Sequence, residues 1–202
     1  MNIFDNEHLA PNRYFDRNFN MDAVKILPGE YFATSESTMI VTVLGSCVSA
    51  CIRDPINRIA GMNHFLLPAN ADEVNFASES ARYGVYAMEI LINHMLKLGA
   101  QRNRLEAKIF GGANVLKGFK TTSVGEKNAL FVQEYLEAEK IRVTATDLLG
   151  EYPRKLYQFP DTGEVKVRKL KTMHNTTIID RESEYKVKIK QTAHKGGDVD
   201  LF

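Results

Sequence analysis

The chain holds two cysteines, and one of them, Cys47, stands in TVLGSCVSAC at the end of an apolar run, beside Gly45 and Ser46. Small neighbours leave a sulfur approachable, which a nucleophile requires. Seventeen residues on, His64 lies in GMNHFLLP. A thiol in contact with an imidazole forms a thiolate–imidazolium pair, because the ring takes the proton and its charge then favours the thiolate. A base of this kind needs a third polar group to orient it, and Thr42 and Asn63 are the candidates. Each residue also has a structural reading. Free cysteine is among the most buried residue types, and a histidine in an apolar stretch is commonly a satisfied core residue. It is the pair, in glycine-flanked strands, that points to covalent catalysis.

Neighbouring motifs offer supporting parts. Backbone N–H groups around Gly45 and Ser46 could hold an oxyanion beside Cys47. FGGAN, with Gly111 and Gly112, reads as a backbone nest or a close wall to the site, or simply as a tight turn. It lacks the lysine and spacing of a P-loop, and LGSCV is not a GxSxG elbow. Cys51, four residues after Cys47, faces the same side of a strand. With His64 the two thiols give only a weak zinc signal, without CxxC spacing, so no metal or other cofactor is expected.

Elements must bring Cys47 and His64 together. MIVTVLGSCVSACI is rich in β-branched residues and reads as a buried strand, with Gly45 marking a bend. Asp54-Pro55 and Asn57 signal a turn, and IAGMNHFLLP returns as the second strand of a hairpin. That pairing sets His64 beside Cys47. ILPGEYFAT, AKIFGGANV and IRVTATDLLG read as further strands, and KLYQFPDTGEVKVRKL as a hairpin turning at Pro160–Gly163. Helical spacing predicts helices over 80–98, with Gly99 as its C-terminal cap, and over 124–139. Residues 69–80 read as a polar loop. Strands and helices do not alternate strictly, which favours an α+β fold with a largely antiparallel sheet. The expected divisions are an N-terminal extension over 1–24, a single domain over 25–175, and a polar, lysine-rich tail over 176–202.

The bulk properties narrow the function classes. The 202 residues carry 26 Lys and Arg against 25 Asp and Glu, a net charge of +1, which gives no global attraction to nucleic acid or anionic lipid. The lysines between Lys166 and Lys195 are interrupted by Asp180, Glu182 and Glu184 and read as a solvated face. Two closely spaced cysteines do not make a secreted disulfide scaffold. The N-terminus has no apolar signal region, and no apolar run approaches the ~20 residues of a membrane-spanning helix, so a cytoplasmic location is expected, with reduced thiols and no membrane insertion.

LGSCVSACIRDP, GMNHFLLP, YGVYAMEIL, AKIFGGANV, VGEKN and ATDLLG, in this order, resemble the CheD chemoreceptor glutamine deamidases from about Ile26 to Leu170. The resemblance implies a layered β-sandwich flanked by helices, shared with bacterial deamidating cysteine hydrolases. It also implies conversion of glutamines to glutamates on methyl-accepting chemoreceptors, through Cys47 as nucleophile, His64 as base and Thr42 as third residue. Chemoreceptor cytoplasmic domains would be the substrates, and a chemotaxis phosphatase a further partner. Lys127 and Pro153 depart from residues common in the family, as does the spacing between Thr42 and Cys47. A non-catalytic adaptor that binds the phosphatase or the receptor is the alternative from another class; it would need neither Cys47 nor His64.

Overall fold

The computed structural model describes residues 9–67, 79–114, 124–170, 183–185 and 187. Most of the expected 69–80 loop and of the 176–202 tail lies outside these residues. Among the described residues ten strands form two five-stranded sheets. The first runs β1 (Asn12–Asp16), β2 (Met21–Lys25), β4 (Met39–Leu44), β9 (Arg154–Gln158), β10 (Val165–Lys169) in spatial order. The second runs β3 (Tyr31–Thr34), β6 (Ile59–Asn63), β5 (Val48–Asp54), β7 (Glu106–Gly111), β8 (Arg142–Leu148). Among these ten strands β2–β4 and β7–β8 pair in parallel and the other ladders are antiparallel. Two helices, α1 (Glu79–Lys97) and α2 (Val124–Ala138), complete an α+β layered sandwich of mainly antiparallel strands flanked by helices.

Strand alternation sorts the side chains into layers. Val48, Ala50 and Ile52 of β5 point at the helices, where they meet Met88, Leu91 and Met95 of α1 and Phe131 and Tyr135 of α2. Cys47 and Cys51 point the other way, with Met62, Leu66 and Phe110, onto Val24, Ile26, Ile40, Leu44 and Leu156 of the first sheet or its edges. The outer face of the first sheet is covered by Phe19, Met21, Tyr157 and Phe159 over Ala23, Met39 and Val41. The helix ends follow the sequence. Gly99, at φ 105°, closes α1 with its N–H on Leu96 O, while Ala100 N–H reaches Met95 O.

Two expectations are corrected. MIVTVLGSCVSACI is not one bent strand but two, β4 and β5, in different sheets, and Gly45–Cys47 carries the chain from one to the other. Residues 12–24, read as part of an extension, are built into the first sheet: β1 pairs with β2, and β2 with β4 in the register Ala23↔Met39 to Lys25↔Val41. Polar composition hid them, because β1 is mostly exposed and has too few buried residues to show alternation.

Candidate active site

The β5–β6 hairpin sets Cys47 and His64 on one face. The ladder pairs Cys51 with Met62 and is extended by a Val48–Phe65 bridge, with both N–H···O contacts at 3.0 Å. In that register His64 stands opposite Ser49, and Cys47 is its diagonal neighbour on the same face rather than its direct partner. Diagonal positions are roughly 7–8 Å apart along the backbone, a gap that two inclined side chains can close. Both residues face the space between the sheets and are buried, Cys47 at 0% and His64 at 2% exposure.

Thr42 comes from the opposite sheet. Its Oγ1 lies 2.9 Å from Ile26 O and 2.8 Å from His64 Nδ1. A hydroxyl has one proton. The Ile26 carbonyl can only accept, so the Thr42 hydroxyl donates there and accepts from Nδ1–H. In the neutral ring this puts the proton on Nδ1 and the lone pair on Nε2. A threonine carbonyl-anchored in this way selects the tautomer in which Nε2 is basic. The His64 peptide is clamped as well: its N–H donates to Glu30 O at 2.9 Å, and its carbonyl accepts from Gly29 N–H at 2.7 Å. Ring and backbone are thus both fixed.

The turn that carries Cys47 is braced from the other side. Gly112 N–H donates to Cys47 O at 2.7 Å, and Ala113 N–H to Gly45 O at 2.8 Å. Gly111 has φ 111°, and a Cβ on it would collide with Cys47 O, so glycine is required for this approach. A Cβ on Gly112, at φ 66°, would stand 2.7 Å from the carbonyl oxygen of Gly125 in the first turn of α2. The FGGAN segment is therefore a wall against the Cys47 backbone. The Gly112 N–H, spent on Cys47 O, does not serve an oxyanion.

Asn63 is the site candidate that the structure moves elsewhere. One residue from His64 on a strand, it points to the opposite face. Its Nδ2 donates to Ala87 O of α1 at 3.0 Å and its Oδ1 accepts from Ala50 N–H at 2.9 Å. It fastens α1 to the sheet and contributes no group to the thiol. Asn128 holds a role that the sequence reading did not give it. From α2 it donates to Ser46 O at 2.9 Å and accepts from Leu67 N–H at 2.8 Å, joining the turn before Cys47 to the segment after His64. An asparagine on the helical stripe that carries Phe131 and Tyr135 is the signal that could have found it, and the structure buries it fully.

Cys51 occupies different surroundings. Burial pushes its thiol well up, a direction that the Ser49 hydroxyl and Lys108 only partly oppose. It lines a cavity of about 340 Å³ with Arg53, Lys108 and Gln158 that includes neither Cys47 nor His64. A thiol held protonated is a poor nucleophile.

A buried thiol, and an imidazole with a hydroxyl on its Nδ1, thus lie between the two sheets of an α+β sandwich. Comparison with known proteins gives the family. The family model described as "CheD chemotactic sensory transduction" matches residues 66–169, starting just after His64. A "probable chemoreceptor glutamine deamidase CheD 1" of Shewanella oneidensis is 65% identical over 193 residues, covering 95% of this chain and 93% of that protein. Proteins named probable chemoreceptor glutamine deamidase CheD are 60% identical in Methylobacillus flagellatus, over 97% of both chains, and 56% identical in Thiobacillus denitrificans, over 100% of both. The chain belongs to the CheD family. These relatives align with the termini too, which the sequence resemblance had left out.

Proposed function

We propose that this chain is a protein-glutamine deamidase that converts glutamines of methyl-accepting chemoreceptors to glutamates, with Cys47 as nucleophile and His64 as general base. The observation that carries the reading is the Thr42 hydroxyl held between Ile26 O and His64 Nδ1, which leaves Nε2 as the basic nitrogen on the face shared with Cys47. The names of its relatives supply the substrate. His64 Nε2 takes the thiol proton, and the thiolate attacks the glutamine Cδ. The tetrahedral oxyanion is held by backbone N–H groups of the turn at Cys47. His64 returns its proton to the departing ammonia, leaving a thioester, then activates water to release glutamate. Thr42 is a positioning residue, because it acts through the imidazole.

Among the described residues no helix is long and apolar enough to cross a membrane. Under this reading the enzyme works in the cytoplasm, where receptor signalling domains lie, and the family resemblance adds a chemotaxis phosphatase as a second partner. The test is mass spectrometry of a receptor signalling fragment incubated with the protein. Specific glutamines should each gain about one mass unit through exchange of NH2 for OH. Cys47→Ala should bind the fragment and leave its mass unchanged, with activity down by about 10⁴-fold or more. Binding by both proteins with a mass change from neither would establish the adaptor reading instead.

A further inference from the structure

A nucleophile at 0% exposure and a base at 2% cannot meet a protein-borne amide until something above them moves. The C-terminal part of the chain supplies a candidate. Tyr185, in a helical turn over residues 183–185, packs against the buried cluster that contains Cys47, Met62 and Leu66. Its ring lies on Gly29: a Cβ there would run into the ring carbons and hydroxyl of Tyr185. Gly29 is the residue whose N–H holds the His64 carbonyl. At its far end the Tyr185 hydroxyl meets the hydroxyl of Tyr83 from α1, the two rings being tilted at 59° with centroids 6.5 Å apart. Tyr83 in turn lies within electrostatic reach of Cys47. Burial above all, then Cys47 and Tyr86, push its phenol up. One side chain thus joins the backbone behind the imidazole to a tyrosine of α1.

We propose that Tyr185 is an intramolecular cap on the Cys47–His64 site, occupying the approach that a substrate glutamine side chain must use, and that a docking receptor helix displaces it. The inference rests on the reading of Cys47 as nucleophile. The way the segment is held fits a cap that can leave. Ser183 and Glu184 are exposed, Val187 is 55% exposed, and Tyr185 is the half-buried anchor among them. Among the described residues of this segment Tyr185 is the half-buried one, and a contact that rests on one aromatic side chain opens at lower free energy than the sheets beneath it. Such a cap competes with substrate in cis. It lowers the fraction of molecules open to binding and so raises KM, while the chemistry after docking is unchanged.

The experiment compares the full chain with Tyr185→Ala and with a chain ending at residue 182. Two readouts are taken: the rate at which iodoacetamide alkylates Cys47, located by peptide mapping, and KM and kcat on a receptor signalling fragment. Both variants should alkylate Cys47 about tenfold faster, and should show a KM lower by a similar factor with kcat unchanged. Tyr185→Phe, which keeps the ring and loses the hydroxyl contact, should fall between. An unchanged alkylation rate and KM in folded variants would overturn the cap. A higher KM in Tyr185→Ala would also overturn it, making Tyr185 a docking residue for substrate. Failure of the underlying reading looks different: the full chain itself would deamidate without depending on Cys47, or not at all.

Discussion

At the residue scale the site turns on one proton. The Thr42 hydroxyl cannot donate to Ile26 O and to His64 Nδ1 at once, so the imidazole is fixed with its basic nitrogen away from Thr42. Thr42→Val keeps the shape but removes the acceptor, leaving Nδ1–H facing a methyl group and the tautomers free to exchange. The expected outcome is a kcat lower by about 10- to 100-fold and an altered pH–rate profile, with KM little changed, while Thr42→Ser restores most of the rate. A Thr42→Val enzyme with the full wild-type rate would remove Thr42 from the site. The two cysteines give a second prediction. Cys51 is held protonated by burial, so alkylation of the folded chain should fall on Cys47, and Cys51→Ala should keep the deamidase rate. Equal labelling of both thiols would count against the assignment. Residue types and spacing put forward Cys47 and His64, and the hairpin register sets both on one face. Types and spacing could not choose between Thr42 and Asn63 as the orienting group. Asn63 is nearer in sequence, but strand parity turns it to the helix side, whereas Thr42 arrives from another sheet, a pairing that no local pattern encodes.

At the element scale the decisive feature is the hairpin β5–β6, whose register sets Cys47 and His64 on one face. Its far end is pinned by Asp54, a carboxylate at 0% exposure that accepts from Ile56 and Asn57 N–H at 2.9 and 3.1 Å and from Gln101 N–H at 2.9 Å. Burial works to raise its pKa, but the three backbone donors and Arg104 outweigh it and hold the carboxyl below its ordinary range. A carboxyl with a folded pKa below the unfolded one adds stability at pH values above the unfolded value, and loses it as pH falls through the folded one. Asp54→Asn should therefore cost about 1–3 kcal/mol at pH 7. Below about pH 4 the gap to wild type should narrow, read by denaturant melts across pH. A pH-independent gap would show that the turn does not depend on the charge. The turn was legible, since Asp54-Pro55 and Asn57 announce it, and so were the hairpin and both helices. The split of the apolar run into β4 and β5 was not. β-Branched residues buried on both faces look alike whether the chain continues straight or crosses to a second sheet.

At the scale of the whole molecule the site exists only because two sheets face each other. Cys47 and His64 adjoin the ends of β5 and β6 of the second sheet; the first carries Thr42 on β4 and, just past β2, the Ile26 carbonyl that Thr42 grips. β2 is thus the outer support of the proton arrangement, and it is held in turn by β1. Polar, aromatic-studded sequence made residues 1–24 look separable, yet Ala23, Val24 and Ile26 are 0–1% exposed, and Ala10 N–H bonds Tyr31 O of the second sheet at 2.9 Å. Removal of residues 1–22 deletes β1 and the start of β2, leaves three residues to pair with β4, and uncovers Met39 and Val41, which Phe19 and Met21 shield. The loss of a strand pair and its apolar cover is worth several kcal/mol, or a Tm lower by about 10 °C or more for a chain of this size. The same truncation should reduce kcat even at temperatures where the protein stays folded, because Ile26 is no longer fixed and the Thr42 hydroxyl can turn its proton toward Nδ1. Thermal melts followed by circular dichroism, with deamidation assayed well below the midpoint, separate the two effects. A truncated chain with the wild-type midpoint and the wild-type rate would show that the first sheet positions Thr42 without its N-terminal strands.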